Sequence, residues 1–543
     1  MATPLKRPAT EEEGDALTPV KIRRTGSRPS SSRENASDND NSLSAAELEL
    51  ELELPAPDIE GLYLDTVNRV NLDFDFEQLC SVSLSNNNIY ACLVCGKYYQ
   101  GRGKQTHAYF HSINEDHHVF INLRTLRIYV LPDNYEVDDK SLNDIKAAVR
   151  PTYSVERVAL LDATCDSAYD LGGKRYIPGL VGLNRIKCND YMNVVVQALA
   201  HVPPIRDAML LLSDLEHKSP LVQRMASLVR KMWHPKLLKS HISPHELHQE
   251  ISNRSNRHFK LDSPGDAFDL LTWLLNTLHI DLGGSRKTSS SIVYQTFRGE
   301  LSVAAQQLQD TRVRSREDDP IIMDDDKLVT RTKHPFLTLS LELPPRPLFA
   351  DDNDDDKGEV GIPQVALASL LQRYGGSMVV ERQGQAKHYQ LLKLPQFIIC
   401  HIKRFTKTEL ATEKNPTVVN FPIHNVPFGS LLPKDVPTHG SRDISATYSL
   451  IVNICHDGQP LPLAGAGNKA STESGQSSAA ASTAATYTSD ETAAAKSQYL
   501  VYVHHAANDK WYMMRDLQVE PVMPQMIFLS DSYVQIWQRN GSE

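Results

Sequence analysis

The chain has 543 residues, 41% of them hydrophobic and 23% charged, with a formal net charge of −10. That length implies roughly two to four domains, and the composition is that of a globular protein. The acidic balance argues against a protein that coats nucleic acid by charge, while leaving room for a local basic patch or docking on a ribonucleoprotein.

No apolar run has the length of a membrane span, and the N-terminus lacks an apolar signal region. Of the seven cysteines, Cys80, Cys92 and Cys95 cluster, while Cys165, Cys188, Cys400 and Cys455 are scattered. An odd, clustered set points to a metal site in a reducing compartment rather than to a disulfide framework.

Residues 1–55 read as a disordered tail: residues 1–45 are rich in Ser, Pro, Glu, Arg and Asn and almost free of aromatics. Lys6-Arg7 and Lys21-Ile22-Arg23-Arg24 resemble a bipartite nuclear localisation signal. Ala45–Leu54 is acidic and periodic, a short helix or charged spacer.

Residues 56–155 form a block rich in Cys, His and aromatics. Cys92 and Cys95 form a C-x2-C pair, a short loop in which both thiolates reach one ion. Fifteen residues separate Cys95 from His111, and five separate His111 from His117, a zinc spacing. His107 and His111 also fit a C2H2 pattern. However, the chain runs on into VFINLRTLRIYVL, a period-2 strand pair, where a DNA-reading finger would end on its helix.

A connector over 156–176 leads to a large domain over 177–540. It opens with Val181–Val202, whose helical spacing from Tyr191 places Met192, Val195, Val196 and Leu199 on one stripe. Pro204–Trp233 reads as helical, and residues 263–279 as an amphipathic helix striped by Phe268, Leu271, Leu275 and Leu278. Strand-like runs follow at 336–344, 397–405, 448–458, 499–505 and 533–537. Helices first and strands later make an α+β domain. An acidic loop at 351–356 and an Ala/Ser/Thr/Gly-rich flexible insertion at 458–496 interrupt it.

CLVCGKYYQGRGKQTHAYFHSINEDHH resembles the ubiquitin-protease-type zinc finger, a small α/β domain. The resemblance implies one zinc on Cys92, Cys95, His111 and His117. It matches a second site only at Cys80 and His107, because Ser83 and Gln100 stand where cysteines are expected. Arg102 matches the arginine that family members use to hold the free ubiquitin tail.

Five boxes of the large domain resemble, in order, those of the ubiquitin-specific proteases, and so imply a papain-like fold. They are VGLNRIKCNDYMN, PGDAFDLLTWLL, LPQFIICHIKRF, YSLIVNICHDG with SQYLVY and WYMMRDLQV, and SDSYVQIW. The family's reaction needs a thiolate, a histidine base and a group that orients it. The resemblance puts Asp190 at the nucleophile, Gln498 at the base, Arg515 at the orienting acid and Arg185 at the oxyanion asparagine. Asp190 is expected to act as a helix N-cap.

The resemblance therefore implies a pseudo-protease, of the splicing-associated inactive branch of the family. On that reading the chain is a nuclear scaffold that maintains the spliceosomal tri-snRNP in pre-mRNA splicing. Its partners are small nuclear ribonucleoprotein proteins, with no direct nucleic-acid site evident and no membrane. Two alternatives are a non-cleaving receptor for ubiquitin or a ubiquitin-like protein, and an active deubiquitinase with a displaced nucleophile such as Cys188.

Overall fold

The computed structural model describes residues 63–541 except 76, 172, 288–289, 308–328, 346–362, 383–384, 408–411, 434–443 and 459–497. The basic clusters at Lys6–Arg24, the 45–54 segment, the 351–356 loop and nearly all of the 458–496 insertion lie outside the described residues.

The N-terminal block is built on a five-stranded antiparallel sheet. Its strands are β1 (Ile89–Cys92), β2 (Tyr98–Gln100), β3 (Val119–Asn122), β4 (Ile128–Val130) and β5 (Tyr135–Val137), in the order β2-β1-β3-β4-β5. Both faces are covered, and the alternation of the strands sorts the side chains between them. Ile89, Ala91, Val119, Ile121 and Ile128 pack with Leu142 and Ile145, near and on α2 (Asn143–Val149). Tyr90, Cys92, Phe120 and Tyr129 pack on the other side with Ala108 of α1 (His107–Asn114). The expected strand pair at 119–131 is β3 and β4. α3 (Val155–Leu160) then leads toward the large domain.

The large domain begins with α4 (Asp190–Ala200), α5 (Pro203–Leu211), α6 (Pro220–Met232), α7 (His245–Arg254), α8 (Ala267–Asp281) and α9 (Ile292–Phe297). All eleven residues of α4 are buried, so it is the centre of the domain and not an amphipathic surface helix. The stretch expected to be helical over 204–233 is two helices. Pro203 and Pro220 each stand in a first turn, where the missing N–H costs nothing, and so begin new helices. Asp266 caps α8 by accepting from the N–H groups of Phe268 and Asp269. The buried face of α8 is wider than one stripe: Leu270, Leu271, Leu274, Leu275 and Leu278 are all fully buried.

Against the helices lies a seven-stranded sheet, and beside it a four-stranded sheet. In chain order the strands are β6 (Gly299–Gln307), β7 (Thr330–Phe336), β8 (Thr338–Glu342), β9 (Gly375–Arg382), β10 (Gln385–Lys393) and β11 (Phe397–Lys403). They continue with β12 (Tyr448–Asp457), β13 (Gln498–His505), β14 (Lys510–Arg515), β15 (Gln518–Val522) and β16 (Ser532–Arg539). The large sheet runs β8-β11-β16-β12-β13-β14-β15, and the smaller one β7-β6-β10-β9.

Alternate residues of the large sheet divide between two cores. Val452, Ile454, Val501, Val503, Val534 and Ile536 face the helices. Leu500, Tyr502 and Trp537 face the opposite way, onto Phe428 and Phe421, and Leu450 joins them because the register of β12 shifts between Leu450 and Val452. The smaller sheet has no counterpart among the strand-like runs legible in the sequence.

Two carboxylates ahead of the zinc-finger sheet fasten that block to the large domain. Asp75 binds Lys231 at 2.9 Å and accepts from the Ser243 N–H at 3.0 Å. Asp73 binds Lys239 at 2.5 Å.

Candidate functional site

Cys92 ends β1, and the chain turns back at Gly96 with φ +77 to begin β2. A Cβ at Gly96 would run into the Asn71 carbonyl, so the turn that brings Cys95 beside Cys92 needs glycine. α1 delivers His111, and the loop after it delivers His117. The four donor atoms of Cys92, Cys95, His111 and His117 lie within 4.8 Å of one another. The His111 Nε2 is 3.4 Å from Cys95 Sγ and 3.0 Å from His117 Nδ1.

The surroundings suit a metal. His111 stacks on Tyr99 at 4.2 Å, and burial lowers its pKa, which keeps the ring neutral. The hydrogen bond from Cys92 pulls the Cys95 thiol down to about 4 and correspondingly pushes Cys92 up. Two sulfurs and two imidazole nitrogens at this spacing fit a closed, tetrahedral structural zinc site.

Cys80 and His107 do not join the cluster. The Cys80 sulfur accepts from the Ser83 N–H at 3.4 Å, and the Ser83 hydroxyl donates to Gln100 Oε1 at 2.9 Å. The two residues that replace cysteines thus bond each other. Arg102 is also engaged: its guanidinium lies 4.3 Å from the Tyr129 ring centroid and donates to Asn134 Oδ1.

The second place of interest is the junction of α4, β13 and β14. Asp190 is the first residue of α4, and Asn189 is the N-cap. Asn189 makes no cap bond. Its side chain accepts from the Ile186 N–H at 2.7 Å and donates to His248 Nδ1 at 2.8 Å. Asp190 instead reaches across to β13, where its Oδ2 accepts from the Tyr499 N–H at 3.0 Å. The expected capping role is therefore replaced by a cross-link between helix and sheet.

Arg185 stands between two carboxylates, 4.0 Å from Asp190 and 3.8 Å from Asp516, distances of charge contact rather than hydrogen bonding. Asp516 accepts from Asn193 of α4 at 2.8 Å. Burial raises both carboxyls. The Tyr499 N–H opposes this at Asp190, the Asn193 amide opposes it at Asp516, and Arg185 opposes it at both. Gln498 lies opposite Asp457 in the β12–β13 register, and Asp457 pairs with Arg515 at 3.1 Å. Thus all four residues singled out from the sequence, Arg185, Asp190, Gln498 and Arg515, fall in this region. Sequence reasoning missed Asp516, Asn193 and His248. Asp516 directly follows Arg515, and only its order behind the first acid position hid it.

Two family models match the chain. The ubiquitin carboxyl-terminal hydrolase model covers residues 181–537. The model of the zinc finger found in ubiquitin hydrolases and other proteins covers 80–142. The chain belongs to the ubiquitin carboxyl-terminal hydrolase family. A human relative, ubiquitin carboxyl-terminal hydrolase 39, is 41% identical over 495 residues, covering 89% of this chain and 80% of its own. A Schizosaccharomyces pombe relative named "Probable mRNA-splicing protein ubp10" is 39% identical, covering 89% of each chain. A solved structure described as an essential yeast splicing factor superposes with a TM-score of 0.64 at 26% identity, over 88% of this chain and all of that one.

For a member of a hydrolase family, the other thiol and imidazoles near the junction matter. Burial pushes the Cys188 thiol up, away from the thiolate a nucleophile needs, and the nearby charges acting on it come from Arg185, Asp190, Asp262 and Lys187. His456 is pulled down to about 4 by burial and packs edge-on against Phe405 and Tyr499. His504 pairs with Asp509, and His505 bonds Asn508. None of these places a thiolate beside a base.

Proposed function

We propose that this chain is a ubiquitin-hydrolase fold without the reaction, which works in the nucleus as a scaffold in pre-mRNA splicing and helps maintain the spliceosomal tri-snRNP. The observation that carries the loss of chemistry is the Asp190 carboxylate, bound to the Tyr499 N–H. Isopeptide cleavage in this family needs a thiolate at that place, and a histidine at the position of Gln498 to take its proton. A carboxylate held by a backbone N–H is a poor nucleophile, and a glutamine amide does not titrate near neutral pH, so it cannot serve as a general base. Arg185 and Arg515 complete the set of replaced roles. The names of the relatives over nearly the whole chain support the splicing assignment.

Zinc has a structural role in this reading. Cys92, Cys95, His111 and His117 hold it, and its binding is coupled to folding of the finger. The finger and large domain then act as one rigid docking body, fastened through Asp73 and Asp75. The partners are proteins of the small nuclear ribonucleoproteins. Affinity purification of the tagged chain, followed by sequencing of co-purified small RNAs, tests the assignment. Spliceosomal small nuclear RNAs are expected to be enriched; recovery at background level would refute it.

A further inference from the structure

Among the described residues β7 is an edge strand: it pairs with β6 over all seven residues, Thr330–Phe336, and with no other strand. Thr330 through Pro335 are exposed on both faces. An antiparallel strand turns the N–H and C=O of alternate residues to alternate sides. Pro335 has no N–H to give β6, and a proline in a sheet sits with its nitrogen toward the open edge. Arg331 and Lys333 share its alternation, so their backbone groups also face outward. The contact of the Thr332 hydroxyl with the Val303 carbonyl, at 3.4 Å, fits the opposite phase, in which Thr332 faces β6.

Arg331 and Lys333 also lie on one face of the sheet, two residues apart, and neither forms an ion pair among the described residues. The edge therefore presents outward backbone bonding groups flanked by two cations, in a chain whose net charge is −10. Charges and a terminal proline discourage pairing between like edges, so a second copy of this basic strand is repelled. The same charges favour an acidic strand, whose side chains directly opposite would be about 5 Å away.

We infer that the outer edge of β7 docks a protein partner by strand addition, and that the added segment is extended and acidic at alternate positions. Backbone bonds to Arg331 and Lys333 supply the pairing, and carboxylates opposite them supply the selection. The inference goes beyond the splicing assignment and does not depend on it.

The test is fluorescence anisotropy on the full chain with an eight-residue peptide alternating Glu and Thr. Saturable binding is expected. It should weaken about tenfold or more when the peptide backbone is N-methylated at alternate residues, which keeps every carboxylate but removes strand pairing. Lys333→Pro, which removes an outward N–H without costing a bond to β6, should weaken binding similarly. The paired reversal Arg331→Glu with Lys333→Glu should switch preference to an eight-residue peptide alternating Lys and Thr. Absence of saturable binding would overturn the inference. So would binding indifferent to N-methylation, because that would be charge attraction without strand addition. The N-methylation arm uses the unaltered protein, so it stands even if a variant folds poorly.

Discussion

The zinc-finger cluster and the α4–β13–β14 junction each gather polar side chains from separate elements, and they differ in where those side chains point. At the cluster, the donor atoms of Cys92, Cys95, His111 and His117 converge on a common centre. At the junction, the polar groups reach for the protein itself. Asp190 takes the Tyr499 N–H, Asn193 donates to Asp516, Arg185 lies between two carboxylates, and Arg515 pairs with Asp457. The pair Ser83 and Gln100 repeats the second pattern within the finger, bonding each other where a second set of thiols is expected. Donors that converge on one point can hold a ligand, whereas groups bonded to their own fold are not presented to one.

The largest test of this contrast is removal of a cluster ligand. Elemental analysis of the unaltered chain is expected to give one zinc per chain, and Cys92→Ala should abolish it. It should also unfold the 63–150 block, because metal-coupled folding in zinc fingers is worth on the order of 10 kcal/mol. A folded, protease-resistant finger in that variant would break the comparison.

Next is Asp190→Ala. It strips the buried Tyr499 N–H of its acceptor and should cost about 1–3 kcal/mol in urea denaturation, whereas Asp190→Asn, which keeps an acceptor, should cost less. The pH dependence has a definite sign. Burial raises the Asp190 carboxyl in the folded chain, so that chain holds the proton more tightly than the unfolded one. The contribution of this group is full below the ordinary carboxylate range and declines as pH rises through its folded value. The stability of Asp190→Asn relative to the parent should therefore improve as pH climbs from about 4 to 7. A difference that is flat with pH would contradict the assigned burial effect.

A double-mutant cycle on Lys231 and Asp75, a partly buried pair at 2.9 Å, should give a coupling of about 1 kcal/mol. No coupling would mean that this contact does not fasten the finger to the large domain. The smallest effect belongs to Arg515→Ala. Its partner Asp457 has a 62% exposed side chain, so the loss should stay below about 0.5 kcal/mol. A larger loss would show that the junction depends on this pair as well.

Much of this was legible in the sequence where spacing encodes geometry. The C-x2-C loop and the histidines at 111 and 117 set the cluster, and the alternating runs at 448–458 and 499–505 became neighbouring strands β12 and β13. The four-stranded sheet was not legible, because β7 is exposed on both faces and carries no apolar alternation. Nor was the partner of Asp190: a backbone N–H more than three hundred residues away leaves no local pattern, so the nearest principle, helix capping, suggested itself instead. The break between α5 and α6 was signalled by Pro220 and its cap Ser219, but helical composition on both sides masked it.

The central claim is that a hydrolase fold persists here without its nucleophile. Incubating the purified chain with ubiquitin bearing a C-terminal electrophile tests it most directly, with the products read by intact-protein mass spectrometry. The unaltered chain is predicted to form no covalent adduct. An adduct that disappears in Cys188→Ala would contradict the account.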